Sequence, residues 1–162
     1  MRQLEFAFMD HRLRTIWRGI KRRCLCPTHR NFGDYGGRGV RIATEWVASF
    51  DAFKAWAIAN GYTDSLELDR RETDGHYEPT NCRWVTHSQQ MQNRRKCAPA
   101  RSRFKGVQWR HDRKKWRVLI KANGRSFHGG TFTSEIEAAK RYDALAAELH
   151  GEFARPNFRD KS

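Results

Sequence analysis

Apolar residues are scarce in this chain. They make up 38% of its 162 residues, below the roughly 45–50% of ordinary globular domains. No apolar run approaches the ~18 residues that a membrane span needs, and Met1 to Asp10 mixes charges with Phe and offers no signal-peptide core. A membrane protein and a secreted protein are both excluded as expectations, and a cytoplasmic setting is the expectation that remains. Cysteine is equally sparse. Cys24, Cys26, Cys82 and Cys97 are too few and too irregular for a disulfide scaffold. A structural zinc site would want paired C-x-x-C units. Here a single Cys24-x-Cys26 stands near His29, with Cys82 far away, so structural zinc is not expected and buried free thiols are. Acids are the third deficit, 18 Asp and Glu against 32 Lys and Arg.

That imbalance leaves a formal charge of +14. A surplus this large repels itself unless an anionic partner neutralises it. Nucleic acid is the leading candidate, because each neutralised phosphate also releases a condensed counterion. An aromatic share of 12%, with six Trp and ten Phe, argues against wholesale disorder.

The stretch 97–102, which contains Pro99, lacks hydrophobic periodicity and reads as a linker. It separates a first domain, 1–96, from a second, 103–162. Cut after residue 96, the halves carry +6 and +8, so both are expected to touch the partner. The first opens with an amphipathic helix along Leu13, Ile16, Trp17, Ile20 and Cys24, with Asp10 as its N-cap. A loop rich in Gly, Asn and Asp runs from Leu25 to Val40. A second helix spans 49–59 and stops at Asn60-Gly61. Residues 66–69 and 81–85 read as short strands, and Thr86 opens a helix to Arg95: a ββα unit of about thirty residues.

In the second half, 104–110, 116–121 and 125–131 read as three strands, the last two joined by the hairpin signal Asn123-Gly124. Along the middle strand Trp116, Val118 and Ile120 alternate with Arg117, Leu119 and Lys121, so one face is apolar and the other mostly basic. A helix from Ser134 to His150 turns Ile136, Ala139, Tyr142, Ala146 and Leu149 inward and is the sheet's only available cover. The expected class is therefore α+β: N-terminal helices with the ββα unit, then a three-stranded antiparallel sheet packed on one helix. Residues 101–125 hold ten Lys and Arg and one acid, Asp112. A basic sheet of this size fits the DNA major groove, where Arg and Lys reach guanine edges.

Phe104-Lys105-Gly106-Val107, Trp116, Gly130-Thr131-Phe132, Glu137-Ala138-Ala139, Tyr142-Asp143, Ala146-Ala147, His150-Gly151 and Asn157-Phe158 together resemble the ethylene-response-factor, or apetala-type, DNA-binding domain over about residues 102–158. The resemblance implies a sheet lying in the major groove of double-stranded DNA, with Lys105, Gln108, Arg110, Lys115, Arg117, Lys121 and His128 as the contact face. Plant members usually carry Arg at the places of Lys105 and Gln108 and an acid at that of Leu119, so their base preference is not transferred.

Leu68-Asp69-Arg70, Asn81-Cys82-Arg83-Trp84-Val85-Thr86, and Gln90 with Asn93 resemble the H-N-H, or ββα-metal, nuclease family, and the Tyr35–Gly39 loop resembles phage-encoded proteins that carry an apetala-type domain behind such a nuclease. This resemblance implies a homing-type DNA endonuclease using Mg2+, with Mn2+ as a substitute, held by Asp69 with Gln90 or Asn93. Asn81 would fix the loop, and Arg38 and Arg83 would join the DNA-binding set. Arg70 stands where the family has its general-base His, and a guanidinium cannot take a proton from water. His76, in the loop between the strands, is then the candidate base, with His87 behind it and Arg70 as a phosphate ligand. On the bland reading Asp69 pairs with Arg70, Arg71 or Arg83, and Asn81 caps a turn. Two functions follow: a site-recognising, Mg2+-dependent endonuclease, or a non-catalytic DNA-binding protein on a retired nuclease fold. Oligomeric state is left open.

Overall fold

The structure, a computed structural model, describes residues 2–94 and 101–158. The linker read at 97–102 lies outside the described residues as far as Ala100, and Cys97 lies there with it. The fold is α+β. Two compact units divide the chain, residues 1–87 and 88–162. That division precedes the compositional break because Ser88 onward belongs with the second unit, where the Lys105 ammonium donates to the Gln92 and Arg94 carbonyls.

In the first unit, helix α1 (Arg2–Leu25) begins eight residues ahead of Asp10. Asp10 is therefore inside the helix and not its cap; its carboxylate takes the Lys54 ammonium at 2.6 Å. Leu13, Ile20 and Cys24 form the buried stripe, as the 3- and 4-residue spacing requires. Basic and aromatic residues of α1 then tie down what packs on it. Trp17 Nε1 donates to the Trp46 carbonyl at 2.6 Å and Lys21 to the Val47 carbonyl at 2.9 Å. Arg12 reaches the Tyr62 hydroxyl and the Leu66 carbonyl.

The expected second helix is α3 (Phe50–Ala59), capped by Ser49, whose Oγ accepts from the Ala52 N–H at 3.2 Å. Gly61 supplies the left-handed stop at φ +81°. A short helix α2 (Thr44–Ala48) precedes it. Five residues are too few to show a period, and Ser49 ends one helix as it starts the next. Trp46, 1% exposed, is its contribution to the core. Strands β1 (Glu67–Arg70) and β2 (Cys82–Val85) pair antiparallel, with Asp69 opposite Arg83 and Arg70 opposite Cys82. Leu68, Trp84 and Cys82 face the core of this unit. Alternation puts Glu67, Asp69, Arg83 and Val85 on the opposite face. Helix α4 (His87–Asn93) follows β2.

In the second unit, strands β3 (Val107–Arg110), β4 (Lys115–Ala122) and β5 (Arg125–Phe132) form an antiparallel sheet in that order. Strand β3 starts three residues later than the apolar pattern suggests, because Gly106 turns through φ +72°. Asn123 and Gly124, at φ +51° and +74°, make the tight β4–β5 turn. A bulge after Val118 leaves Gly129 unpaired in β5. Helix α5 (Glu135–His150), capped by Ser134, covers one face. Its inward set is Ala138, Ala139, Tyr142, Leu145, Ala146 and His150. Ile136, expected inside, is 47% exposed, since it stands in the first turn before the helix reaches the sheet.

The small helix residues let α5 lie close on Val107, Val118 and Ile120. The tail is stapled to the sheet by one amide. Asn157 Oδ1 accepts from the Lys105 N–H at 2.6 Å, and Asp143 accepts from the backbone of Asn157 and Phe158. The motif residues Asp143 and Asn157 thus hold the fold.

Gly106 tests this packing. A Cβ there would lie 2.0 Å from the Tyr142 ring at a positive φ, whereas one at Gly124 would meet nothing within 4 Å. Gly106→Ala is expected to destabilise the second unit by about 3 kcal/mol or more and Gly124→Ala by only about 1–2 kcal/mol. Calorimetric unfolding of the two variants checks the difference.

Candidate nucleic-acid interface and nuclease-like site

The outer face of the second unit's sheet follows from register. Gln108 lies opposite Arg117, Arg110 opposite Lys115, Lys121 opposite Ser126 and Leu119 opposite His128. Cross-strand partners share a face, and Val118 and Ile120 point the other way, under α5. Gln108, Arg110, Lys115, Arg117, Lys121 and His128 therefore stand together on the uncovered side, and β3, β4 and β5 contain no acidic residue. Arg117 Nη2 donates to Gln108 Oε1 at 2.7 Å, which presents a guanidinium and an amide side by side. The one nearby acid, Asp112 in the β3–β4 turn, accepts two bonds from Arg110. Those bonds hold its carboxyl down at about 2, well below the usual range.

Lys105 does not join this face. Its Nζ is turned to the carbonyls of Gln92 and Arg94, and burial, with Arg155 nearby, lowers its ammonium to about 8. It anchors the residues that end α4.

In the first unit the hairpin gathers the nuclease-like positions. Asn81 is a clamp. Its Oδ1 accepts from the Glu72 N–H at 2.8 Å, and its Nδ2 donates to the Glu72 and His76 carbonyls at 3.0 and 2.8 Å. Both the loop-fixing and the turn-capping expectations describe these bonds. Arg70 is 8% exposed. It donates to the Gly75 carbonyl and lies over the Tyr77 and Tyr35 rings, so it is packed inside the unit and not presented to a phosphate. Asp69 takes Arg83 Nε at 3.2 Å, with side-chain exposures of 7% and 10%. Of the three partners weighed for Asp69, Arg83 is in ion-pair reach, and Arg83 in turn is not at a free surface. Arg38 pairs with Asp74 at the surface.

The two histidines differ in which nitrogen is engaged. His76 Nδ1 accepts the Arg41 backbone N–H at 3.2 Å. A neutral imidazole has one lone pair, so that bond uses it and leaves a protonated Nε2. His76 in this arrangement has no basic nitrogen to offer. His87 is the reverse. Its Nδ1 meets Glu67 Oε1 at 2.8 Å, and a carboxylate can only accept. Nδ1 therefore carries a proton, and in the neutral ring Nε2 then keeps the lone pair, on a side chain 70% exposed. Sequence reasoning missed Glu67. The signal was the strand register, which pairs Glu67 with Val85, two residues before His87.

Mg2+ takes hard oxygen donors, and the expected set is the Asp69 carboxylate with the Gln90 or Asn93 amide. Among the described residues no three His, Cys, Asp or Glu side chains gather into a group that could hold a metal ion. Asp69 is buried against a guanidinium.

No protein-family model, curated protein or solved structure matches this chain. Among the described residues no helix is long and apolar enough to cross a membrane.

Lys105 gives a pH signature. The folded protein releases this proton near 8, the unfolded chain near the ordinary 10.5. Between those values the unfolded state binds the extra proton, so raising the pH through this window stabilises the fold. Parent protein is expected to gain stability from about pH 8 to 10 relative to Lys105→Met, in which this increment is absent. Urea unfolding at several pH values reads it out.

Proposed function

We propose that this protein binds double-stranded DNA through the outer face of β3–β5. The observation that carries the reading is the convergence of Arg110, Lys115, Arg117, Lys121, Gln108 and His128 on one acid-free sheet face. Lys and Arg heads neutralise phosphates, while the Arg117–Gln108 pair offers guanidinium and amide donors to base edges. The resemblance to the apetala-type domain points to the same face. An RNA duplex is a poor fit, because its major groove is too deep and narrow for a sheet to read. The ion pair of Arg110 with Asp112 is at the surface, where such pairs contribute little, so Arg110 can exchange its partner for a phosphate.

A second reading, hydrolysis of the bound DNA as in an H-N-H endonuclease, is favoured by the Glu67–His87 pair. His87 Nε2 is free to take the proton from a water that attacks phosphorus, and Glu67 would hold the ring and stabilise the imidazolium. Asp69 already holds Arg83 through one carboxylate oxygen, and no metal-borne step is assigned.

Replacing Lys115, Arg117 and Lys121 by Ala is expected to weaken duplex binding and flatten its salt dependence, by about 0.9 in log–log slope for each phosphate left without its cation. Fluorescence anisotropy across a salt series measures both. Equal affinity of parent and triple variant at moderate salt would place the interface elsewhere.

For cleavage, supercoiled plasmid with Mg2+ or Mn2+ is the substrate. His87→Ala should slow nicking by about a hundredfold or more, whereas His76→Ala should retain the chemistry. A parent that cuts no duplex confines the function to binding.

A further inference from the structure

The outer sheet face carries one apolar side chain among its polar ones. Leu119 stands in β4 between Arg117 and Lys121, directly across from His128. It faces away from α5, since its neighbours Val118 and Ile120 are the ones buried beneath the helix, at 0% and 3% exposure. The bulge between Val118 and Leu119 sits at this spot, and the Leu119 N–H is bonded to the Gly106 carbonyl at 2.9 Å. The backbone under Leu119 is thereby held from both sides. Leu119 is half-buried among these neighbours, and the part that stays uncovered is an apolar spot ringed by cations and an imidazole. It has a use where the surface meets something that is charged at its edges and apolar at one point.

Duplex DNA has that form in the major groove. Its apolar projection there is the 5-methyl group of a pyrimidine, set among donors and acceptors. Resting on the proposed docking of this face in the groove, we infer that Leu119 is a specificity-determining residue that packs on a pyrimidine 5-methyl group. Arg117 and Lys121 flank it toward phosphates and purine edges. An acid at the place of Leu119 would accept from a cytosine amino group; a leucine forfeits that bond and packs on a methyl instead. The methyl has two sources, thymine and 5-methylcytosine, and the chemistry is common to both.

The test uses the whole 162-residue chain. Duplexes are enriched from a random library, and the best binder is resynthesised with each thymine replaced in turn by deoxyuridine, which removes only the methyl. A parallel series replaces each cytosine by 5-methylcytosine. For the parent, at least one such change is expected to alter affinity by about fourfold, the worth of one methyl group buried. In Leu119→Ala and Leu119→Gln, checked for native circular dichroism, the same change should have no effect. A thymine-to-uracil loss identifies thymine as the source, and a gain on cytosine methylation identifies 5-methylcytosine. Methyl-independent binding by the parent, or methyl dependence that survives in both variants, overturns the role of Leu119 while leaving DNA binding intact. Failure of the parent to enrich or bind any duplex overturns the docking reading itself, and the role of Leu119 with it.

Discussion

Arg70 places its guanidinium 4.6 Å from the Tyr77 ring centre and 5.2 Å from that of Tyr35, and donates 2.7 Å to the Gly75 carbonyl. A buried cation is costly unless its surroundings answer it, and two aromatic faces and the Gly75 carbonyl contribute to that answer. The arrangement couples distant pieces of chain. Tyr35 comes from the glycine loop. Tyr77 is bridged to Ile42, and its carbonyl accepts from the Ala43 N–H. Gly75 belongs to the turn that Asn81 clamps, so closely that a Cβ on Gly75 would lie 2.7 Å from the Asn81 amide. Arg23 of α1 reaches the same two rings. One charged group thus organises helix, loop and hairpin, and the same burial withdraws Arg70 from any phosphate.

The positive charge of the protein is divided along these lines. In the first unit Arg12, Lys21, Arg70 and Arg83 are occupied with carbonyls, rings or a carboxylate. In the second, the sheet directs Lys115, Arg117 and Lys121 outward, and the helix side is left to Val, Ile, Ala and Tyr. The first unit also keeps exposed cations, among them Arg14, Arg18, Arg22, Arg30, Arg41 and Arg71, so the difference lies in arrangement: the second unit sets its cations in register on one sheet face.

Much of the second unit was legible in the sequence, because each of its signals is local. Alternation along Trp116–Lys121, the Asn123-Gly124 turn and the helix spacing each fix a face or a reversal without reference to distant residues. Errors arose where local pattern gave way to tertiary context. Lys105 reads as one more cation beside a basic strand, but its Nζ serves backbone carbonyls that precede the linker. Asp10 reads as a helix cap, but it is matched to Lys54 on another helix. Helix α2 was too short to carry a period. In the nuclease-like hairpin the residue types could be named, but pairing could not: nothing in the spacing of Arg70, Arg71 and Arg83 says which of them faces Asp69. Strand register decides it, by setting Asp69 opposite Arg83 and turning Arg70 to the other side.

The same limit governs the choice of base. Proximity in sequence favours His76, which is six residues from the position that a histidine fills in the nuclease family. Availability of a lone pair favours His87. Being the right residue type in the right loop is not sufficient for proton transfer, because an imidazole that accepts a backbone N–H at Nδ1 is already serving as a base toward the fold. Asn81 contributes to that outcome, since it holds the His76 carbonyl and with it the loop that brings the ring to Arg41. His87 begins a helix at the surface, and its Nδ1 partner is a carboxylate that directs the proton to that nitrogen. A hairpin that binds its loop histidine this firmly shifts any catalysis to the end of the hairpin where β1 starts and β2 finishes. There the His87 side chain is 70% exposed, and on the proposed reading it would meet a phosphodiester without displacing any part of the core.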